Sequence, residues 1–210
     1  MDVKMDVRRI TRADTRPWLL NKHYAHRMPP ISYAFGLFIG DDIHGVITYG
    51  SPASSSLRNG IAGKNNAHLV LELNRLCCDN EPNYASQLVA KSMALLPRPR
   101  IIVSFADTAQ NHIGYVYQAT NFVYTGLSAK RTDWCIKGME GKHGATIADM
   151  SKGQPHRAEF MREKFGDDFY LAPRSRKHRY LFIIGGKREK KELWAAVRYP
   201  KQPYPKREQP

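Results

Sequence analysis

The stretch Ile101-Ile102-Val103-Ser104-Phe105-Ala106 narrows the fold more than any other part of the chain. It is apolar almost without a break, carries β-branched residues, and is set off by Pro97 and Pro99. A strand with apolar side chains on both faces has to be covered on both, so the chain needs helices above and below a sheet. The remaining patterns supply them. Residues 7–11 read as a strand, and Thr11 or Asp14 caps a helix running to about residue 26, with Pro17 in its first turn. Residues 32–39 and 43–49 form a hairpin around Gly40-Asp41-Asp42. Residues 52–66, rich in Ser, Gly and Asn, read as an exposed loop. Strict alternation over 68–76 gives a strand, with Leu69, Leu71 and Leu73 on one face and Val70, Glu72 and Asn74 on the other. A helix over 84–96 is stopped by the prolines, and Asp107 to Gln110 lead into another over 113–120. Strands over 122–127, 133–137 and 180–184 and a helix over 156–165 follow. The expected fold is α/β, a mixed, mostly antiparallel twisted sheet flanked by helices. Residues 1–185 form the domain, and 186–210 are a basic, partly disordered tail with a short helical piece near Leu193.

The 33 Lys and Arg against 19 Asp and Glu leave a formal charge of +14, which favours a polyanion through counterion release and steering. Nucleic acid, double-stranded DNA first, is the expected partner. A membrane is not: no long basic amphipathic helix and no apolar run near 20 residues is present. Three cysteines cannot build a disulfide framework, and with no leader-like N-terminus the expectation is a cytoplasmic protein. No His or Cys spacing matches a zinc finger or a helical His-Glu-His site, so no metal ligand is assigned. The residues leave a redox metal such as iron open.

Two strand ends carry polar clusters where open α/β sheets place ligands. One is Glu72-Leu73-Asn74-Arg75. The other, Ser104 to His112, packs a carboxylate, hydroxyls, amides and an imidazole into nine residues. Asp107 suits a general base beside an amine; its plainer role is an N-cap. His23 and Arg27, four apart at a helix end, share a face and can meet a phosphate or base edge. Their plainer role is to face the helix dipole. The run Arg174-Ser175-Arg176-Lys177-His178-Arg179, without acidic neighbours in sequence, reads as a phosphate-contacting surface.

The segments Lys22 to Pro29, Tyr33 to Phe38, Glu72 to Leu76 and Ser104 to Thr108 through Gly114 to Gly126 resemble the Mom DNA-modification proteins of Mu-like phages. The likeness spans about residues 20–127. That family is related to the GNAT acyltransferases, so the resemblance implies a GNAT-like sheet. It also implies a transferase that converts adenine in DNA to N6-carbamoylmethyladenine, protecting phage DNA from restriction. The turn Tyr117 to Phe122 is similar to the one closing the acyl-donor side of GNAT folds. Residues and resemblance together assign catalysis to Asp107, His23, Arg75, Ser104 and Tyr124. They assign donor binding to Thr108, Asn111, Tyr117 and Asn121, and nucleic-acid contacts to Tyr24, Arg27, Arg174, Arg176, Lys177 and Arg179.

One departure bears on the donor. GNAT enzymes cradle a diphosphate with a Gly-rich loop at a helix N-terminus, but Leu76 to Tyr84 contains no glycine and carries Asp79 and Glu81. That argues against acetyl-CoA. The added CH2-CO-NH2 atoms are those of glycine, so a glycyl ester such as glycyl-tRNA is the alternative donor, with tRNA a second nucleic-acid partner. Two other functions compete: a non-enzymatic DNA-binding phage protein, and an ordinary acetyl-CoA-dependent N-acetyltransferase.

Overall fold

The computed structural model describes residues 5–52, 54–142 and 144–206. Its strands are β1 (Met5–Arg9), β2 (Tyr33–Ile39), β3 (Asp42–Gly50), β4 (Val70–Cys78), β5 (Arg100–Asp107), β6 (Val123–Leu127), β7 (Arg131–Ile136), β8 (Phe169–Arg174) and β9 (Lys177–Ile184). Its α-helices are α1 (Arg12–Pro17), α2 (Ser55–Ala62), α3 (Tyr84–Ala94), α4 (Tyr115–Ala119), α5 (Gly144–Asp149), α6 (Arg157–Phe165) and α7 (Lys187–Ala196). The chain divides into two compact units, the second being Ser128–Arg176.

The first unit holds a seven-stranded sheet in the order β1-β2-β3-β4-β5-β9-β6. Every pairing is antiparallel except β4 with β5, which is the mixed, mostly antiparallel sheet expected. Strand β5 is covered on both faces, as its composition demands. Ile102 and Ala106 join the cluster under α3 and α4, with Leu73, Leu88, Tyr117 and Phe122. Ile101 and Val103 join a second cluster under α2 and α7, with Ile61, Leu181 and Leu193.

The β2–β3 hairpin closes with Ile39 opposite Asp42, and Gly40 takes φ 63 in the turn between them, a conformation that favours glycine. Thr11 caps α1 in a full capping box with Asp14. The first helix is shorter than expected, however. Pro17 lies at its C-terminal end, not in its first turn; lacking an N–H it cannot continue the ladder, and the chain widens into a π turn over Trp18–Lys22. His23 is already extended (φ −78, ψ 132).

Residues 52–66 are not simply a loop. Ser54 caps α2 by accepting from the Leu57 N–H, and Ile61 and Ala62 are buried against the sheet. Within the expected tail, residues 186–206 carry more structure than foreseen. Helix α7 begins at Lys187, and beyond it Arg198 donates its backbone N–H to Ile61 O at 2.8 Å and Gln202 to Tyr124 O at 2.9 Å. The Tyr204 hydroxyl donates to Phe122 O at 2.7 Å. The strap thus lies along β6, the edge strand.

The second unit pairs β7 and β8 antiparallel over a core of Ile136, Ile147, Met161 and Phe169. Strand β8 and helix α5 were not foreseen. No helix among the described residues is long and apolar enough to cross a membrane.

Candidate active site

The site arises where β4 and β5 part. Their ladder runs from Val70 opposite Ile101 to Leu73 opposite Ser104 and ends there. Beyond it β4 stays with β3 as far as Cys78, and β5 stays with β9 as far as Asp107 opposite Lys177. The Ser104 hydroxyl donates to Leu73 O at 3.0 Å at the fork.

A bulge in β4 sets which side chains face it. Thr48 pairs with Arg75 and Tyr49 with Leu73, leaving Asn74 as an extra residue. Its amide is fixed at both ends, accepting from Thr48 Oγ1 at 2.6 Å and donating to Pro30 O at 2.8 Å. Leu71 and Leu73 before the bulge, and Leu76 and Cys78 after it, all pack into the α3-side cluster. The alternation expected through Leu76 therefore breaks at Asn74. In consequence Glu72 and Arg75, which a regular strand would point to opposite faces, project on the same face, away from α3.

Asp107 projects on that face too, in phase with Ile101 and Val103. Its Oδ1 accepts from the Ala109 N–H at 3.1 Å, and its Oδ2 pairs with Lys177 Nζ at 3.1 Å. Asp107 is thus both the cap expected of it and the anchor of Lys177. Glu72 differs. It is half-buried, and among the described residues its carboxylate makes no hydrogen bond or ion pair. Burial pushes its pKa up, opposed by Arg75 and Lys177. Arg75 donates to Asn74 O at 2.6 Å, while its Nε is buried without a hydrogen-bond partner among the described residues.

The turn after the π segment adds two rings. His23 is buried (8% exposed) and stacks on Tyr24 at 4.5 Å; Tyr24 meets His112 edge-on at 6.0 Å. Burial, then the charge of Arg75, lowers the His23 pKa to about 4. Its Nδ1 accepts from the Ala25 N–H at 3.1 Å. The neutral ring therefore carries its hydrogen on Nε2 and offers a donor there. Tyr24 is half exposed (50%), leaving ring area for another planar group.

These values predict a pH signature. His23 protonates near 6.5 in the unfolded chain and near 4 in the folded one, so folding stability falls as pH drops through that window. Melting of the wild type between pH 6.5 and 4 should decline more steeply than that of His23→Gln. Parallel curves would contradict a buried neutral imidazole.

Other expected residues fall elsewhere. His23 and Arg27 do not share a helical face, because the helix ends before both; Arg27 nevertheless lies near enough to Arg75 to disfavour its charge. Tyr124 points to the opposite face of the sheet, buried, with its hydroxyl 2.9 Å from His178 Nδ1 and its ring 5.2 Å from Tyr180. Tyr117 is buried on that side as well, hydrogen-bonded to Ser104, with its pKa raised to about 12 by burial. Thr108 and Asn111 follow Asp107, whereas Asn121 lines a cleft of about 510 Å³ with Arg98, Ile184 and Lys190. Ile184 and Lys177 end the β9 ladder on opposite sides, about 23 Å apart. The four donor-binding residues are therefore not one site.

From Arg176 onward the basic run 174–179 is not an open phosphate surface, while Arg174 stays partly exposed. Arg174 lies 3.7 Å from Asp133 and Lys177 3.1 Å from Asp107, and Arg176 donates to Ser128 O at 2.7 Å. Arg179 is buried, donating to Thr125 Oγ1 and O at 3.0 and 2.7 Å. The acidic partners come from distant sequence. Asp79, expected to repel a diphosphate, is paired with Lys22 at 3.1 Å and lies 3.0 Å from His44 Nδ1, which weakens its share of that argument. Glu72 as a separate reactive group, and His112, were missed; both sit inside the two clusters singled out, but the bulge that turns Glu72 toward Arg75 leaves no mark in composition. No group of three or more potential metal ligands converges among the described residues.

The sequence profile described as the Mom protein family matches residues 4–206. The methylcarbamoylase Mom of Escherichia phage Mu is 28% identical over 198 residues, covering 91% of this chain and 79% of that protein. Among solved structures, Arabidopsis thaliana NAA60 in complex with acetyl-CoA is similar with a TM-score of 0.48 at 10% identity, covering 87% of this chain and 100% of that one. A Bacillus subtilis acetyltransferase in complex with CoA gives 0.45 at 12% identity, covering 86% and 99%.

Proposed function

Since this chain belongs to the Mom protein family, we propose that it is a transferase that converts the exocyclic amine of adenine in DNA to N6-carbamoylmethyladenine, shielding phage DNA from restriction. The relative's name, methylcarbamoylase, supports the group transferred. The observation that carries the chemistry is the set of groups on one face of the β4–β5 fork: an unpaired carboxylate (Glu72), a buried unpartnered donor (Arg75 Nε) and a neutral imidazole donor (His23).

An adenine whose N6 is tied up in pairing must leave the duplex to react, and the free ring area of Tyr24 offers a stacking surface. Glu72 takes the amine proton as N6 attacks an acyl carbonyl. Arg75 Nε and His23 Nε2 donate to the oxygen that gains charge. Asp107 holds Lys177 beside them, adding positive potential where the anion forms.

The donor we favour is a glycyl ester, that of glycyl-tRNA. N6 attack forms the N6–carbonyl bond and breaks the ester C–O bond, and the released ribose hydroxyl takes a proton. The glycyl amine, free throughout, then attacks C6. The five-membered ring so formed opens at the bond between C6 and the original N6, which leaves as the carboxamide nitrogen. Neither step changes oxidation state. Glycine labelled with nitrogen-15 on tRNA should deliver its label to the ring-bound nitrogen of the product nucleoside, read by mass spectrometry. Label in the carboxamide, or equal product without tRNA, rejects this donor. Adenine nucleosides without the added mass reject the activity itself.

A further inference from the structure

From the second unit we infer a docking surface for duplex DNA: the outer face of the β7–β8 ribbon, where Arg131 and Arg174 each meet a backbone phosphate. The inference rests on the DNA-modifying reading above. Arg131 lies directly opposite Arg174 in the ribbon, and like charges facing each other across an antiparallel pair cost stability. Arg174 has Asp133 at 3.7 Å, but Arg131 is exposed and its guanidinium makes no hydrogen bond or ion pair among the described residues. The ribbon thus carries a cation pair that its own folding does not call for.

Charge is also sorted within this unit. Residues 128–137 and 169–176, the strands and their flanks, hold five Lys and Arg against one acid, Asp133, whereas residues 138–168 hold five against six. Its positive potential is therefore a property of the ribbon and not of the helices.

Register fixes what the outer face presents. Trp134, Ile136 and Phe169 point into the unit's core, so Arg131, Asp133 and Cys135, opposite Arg174, Ala172 and Tyr170 in that order, alternate to the other side. Tyr170 is 38% exposed there. A two-stranded ribbon of this kind fits a major groove about 12 Å wide. Single-stranded nucleic acid is held by a row of aromatic platforms, and this face offers one ring. Duplex DNA is accordingly favoured over an unpaired RNA end.

The test is a salt titration of the full chain binding a duplex oligonucleotide, followed by fluorescence anisotropy. Each lost phosphate contact removes about 0.9 from the slope of log K against log salt, so Arg131→Gln with Arg174→Gln should reduce it by about 1.8. Lys152→Gln with Arg162→Gln, on the helical side, should leave it unchanged. The ribbon variant should also raise the KM for duplex while kcat holds. An unchanged slope, a slope that falls equally in the helical variant, or a change seen with deacylated tRNA but not with duplex would each overturn the assignment. A wild type that does not bind duplex at all would instead reject the underlying reading.

Discussion

Glu72→Gln should lower the rate of adenine modification by roughly three orders of magnitude, within the range that a positioned acid–base group supplies, while duplex affinity stays near that of the wild type. The amide keeps the size and the half-buried position of the carboxylate but cannot take a proton. Asp107 is the other carboxylate on this face, and both its oxygens are engaged, one by the Ala109 N–H and one by Lys177. Glu72 has no such partner among the described residues. The pH profile gives a second reading. Glu72 must be ionised to act, and burial raises its pKa above the usual carboxylate value, so the rate should fall on acidification at a higher pH than an exposed glutamate would give. The charged groups that act on it are Arg75 on its own strand and Lys177 on β9, with Tyr117 on α4 lying across the sheet on the other face. Tyr117, whose pKa burial raises to about 12, stays neutral across the acid range. His23 titrates near 4, below the limb assigned to Glu72. A Gln variant that keeps more than a tenth of the rate would move proton removal to another group.

The elements legible in sequence are those decided by neighbouring residues. Thr11 and Asp14 carry their capping box within four positions, the β2–β3 turn needs only Gly40, and β5 is apolar by itself. Helix α2 was lost because Ser, Gly and Asn dominate its segment, although Ser54 as a cap with Leu57 and Ile61 four apart was there to read. What decides the site is less local. The Asn74 bulge depends on Thr48 and Pro30, far away in sequence, and it alone brings Glu72 and Arg75 to one face. Of the five residues expected to be catalytic, Arg75, Ser104 and Asp107 lie at the fork because the clusters at the ends of β4 and β5 mark it in sequence, and His23 lies close enough for the charge of Arg75 to act on it. Tyr124 lies elsewhere, since its strand turns it to the other face.

The basic run was misread for a reason that itself yields a large effect. Arg179→Met should lower stability by about 3 kcal/mol, the worth of charge-assisted hydrogen bonds and a cation–π contact taken together. The guanidinium donates twice to Thr125 on β6, and its carbon lies 3.4 Å from the centre of the Tyr199 ring in the C-terminal strap. It therefore ties β9, β6 and the strap through one side chain. Methionine fills similar volume but leaves Thr125 O without its donor. For a chain of this length the loss corresponds to a melting temperature lower by roughly 6–12 °C. Tyr199→Ala should reproduce part of it by uncovering the same cation. A phosphate-contacting arginine predicts the reverse pattern, with melting unchanged and the salt slope of DNA binding reduced by about 0.9. Arg131 with Arg174 and Arg179 should thus separate cleanly, the pair moving the salt slope and the single buried residue moving the melting point. If Arg179→Met moved the slope instead, the chain's basic face would have to extend across β9, and Tyr199 would be a lid over a phosphate site and not part of the core.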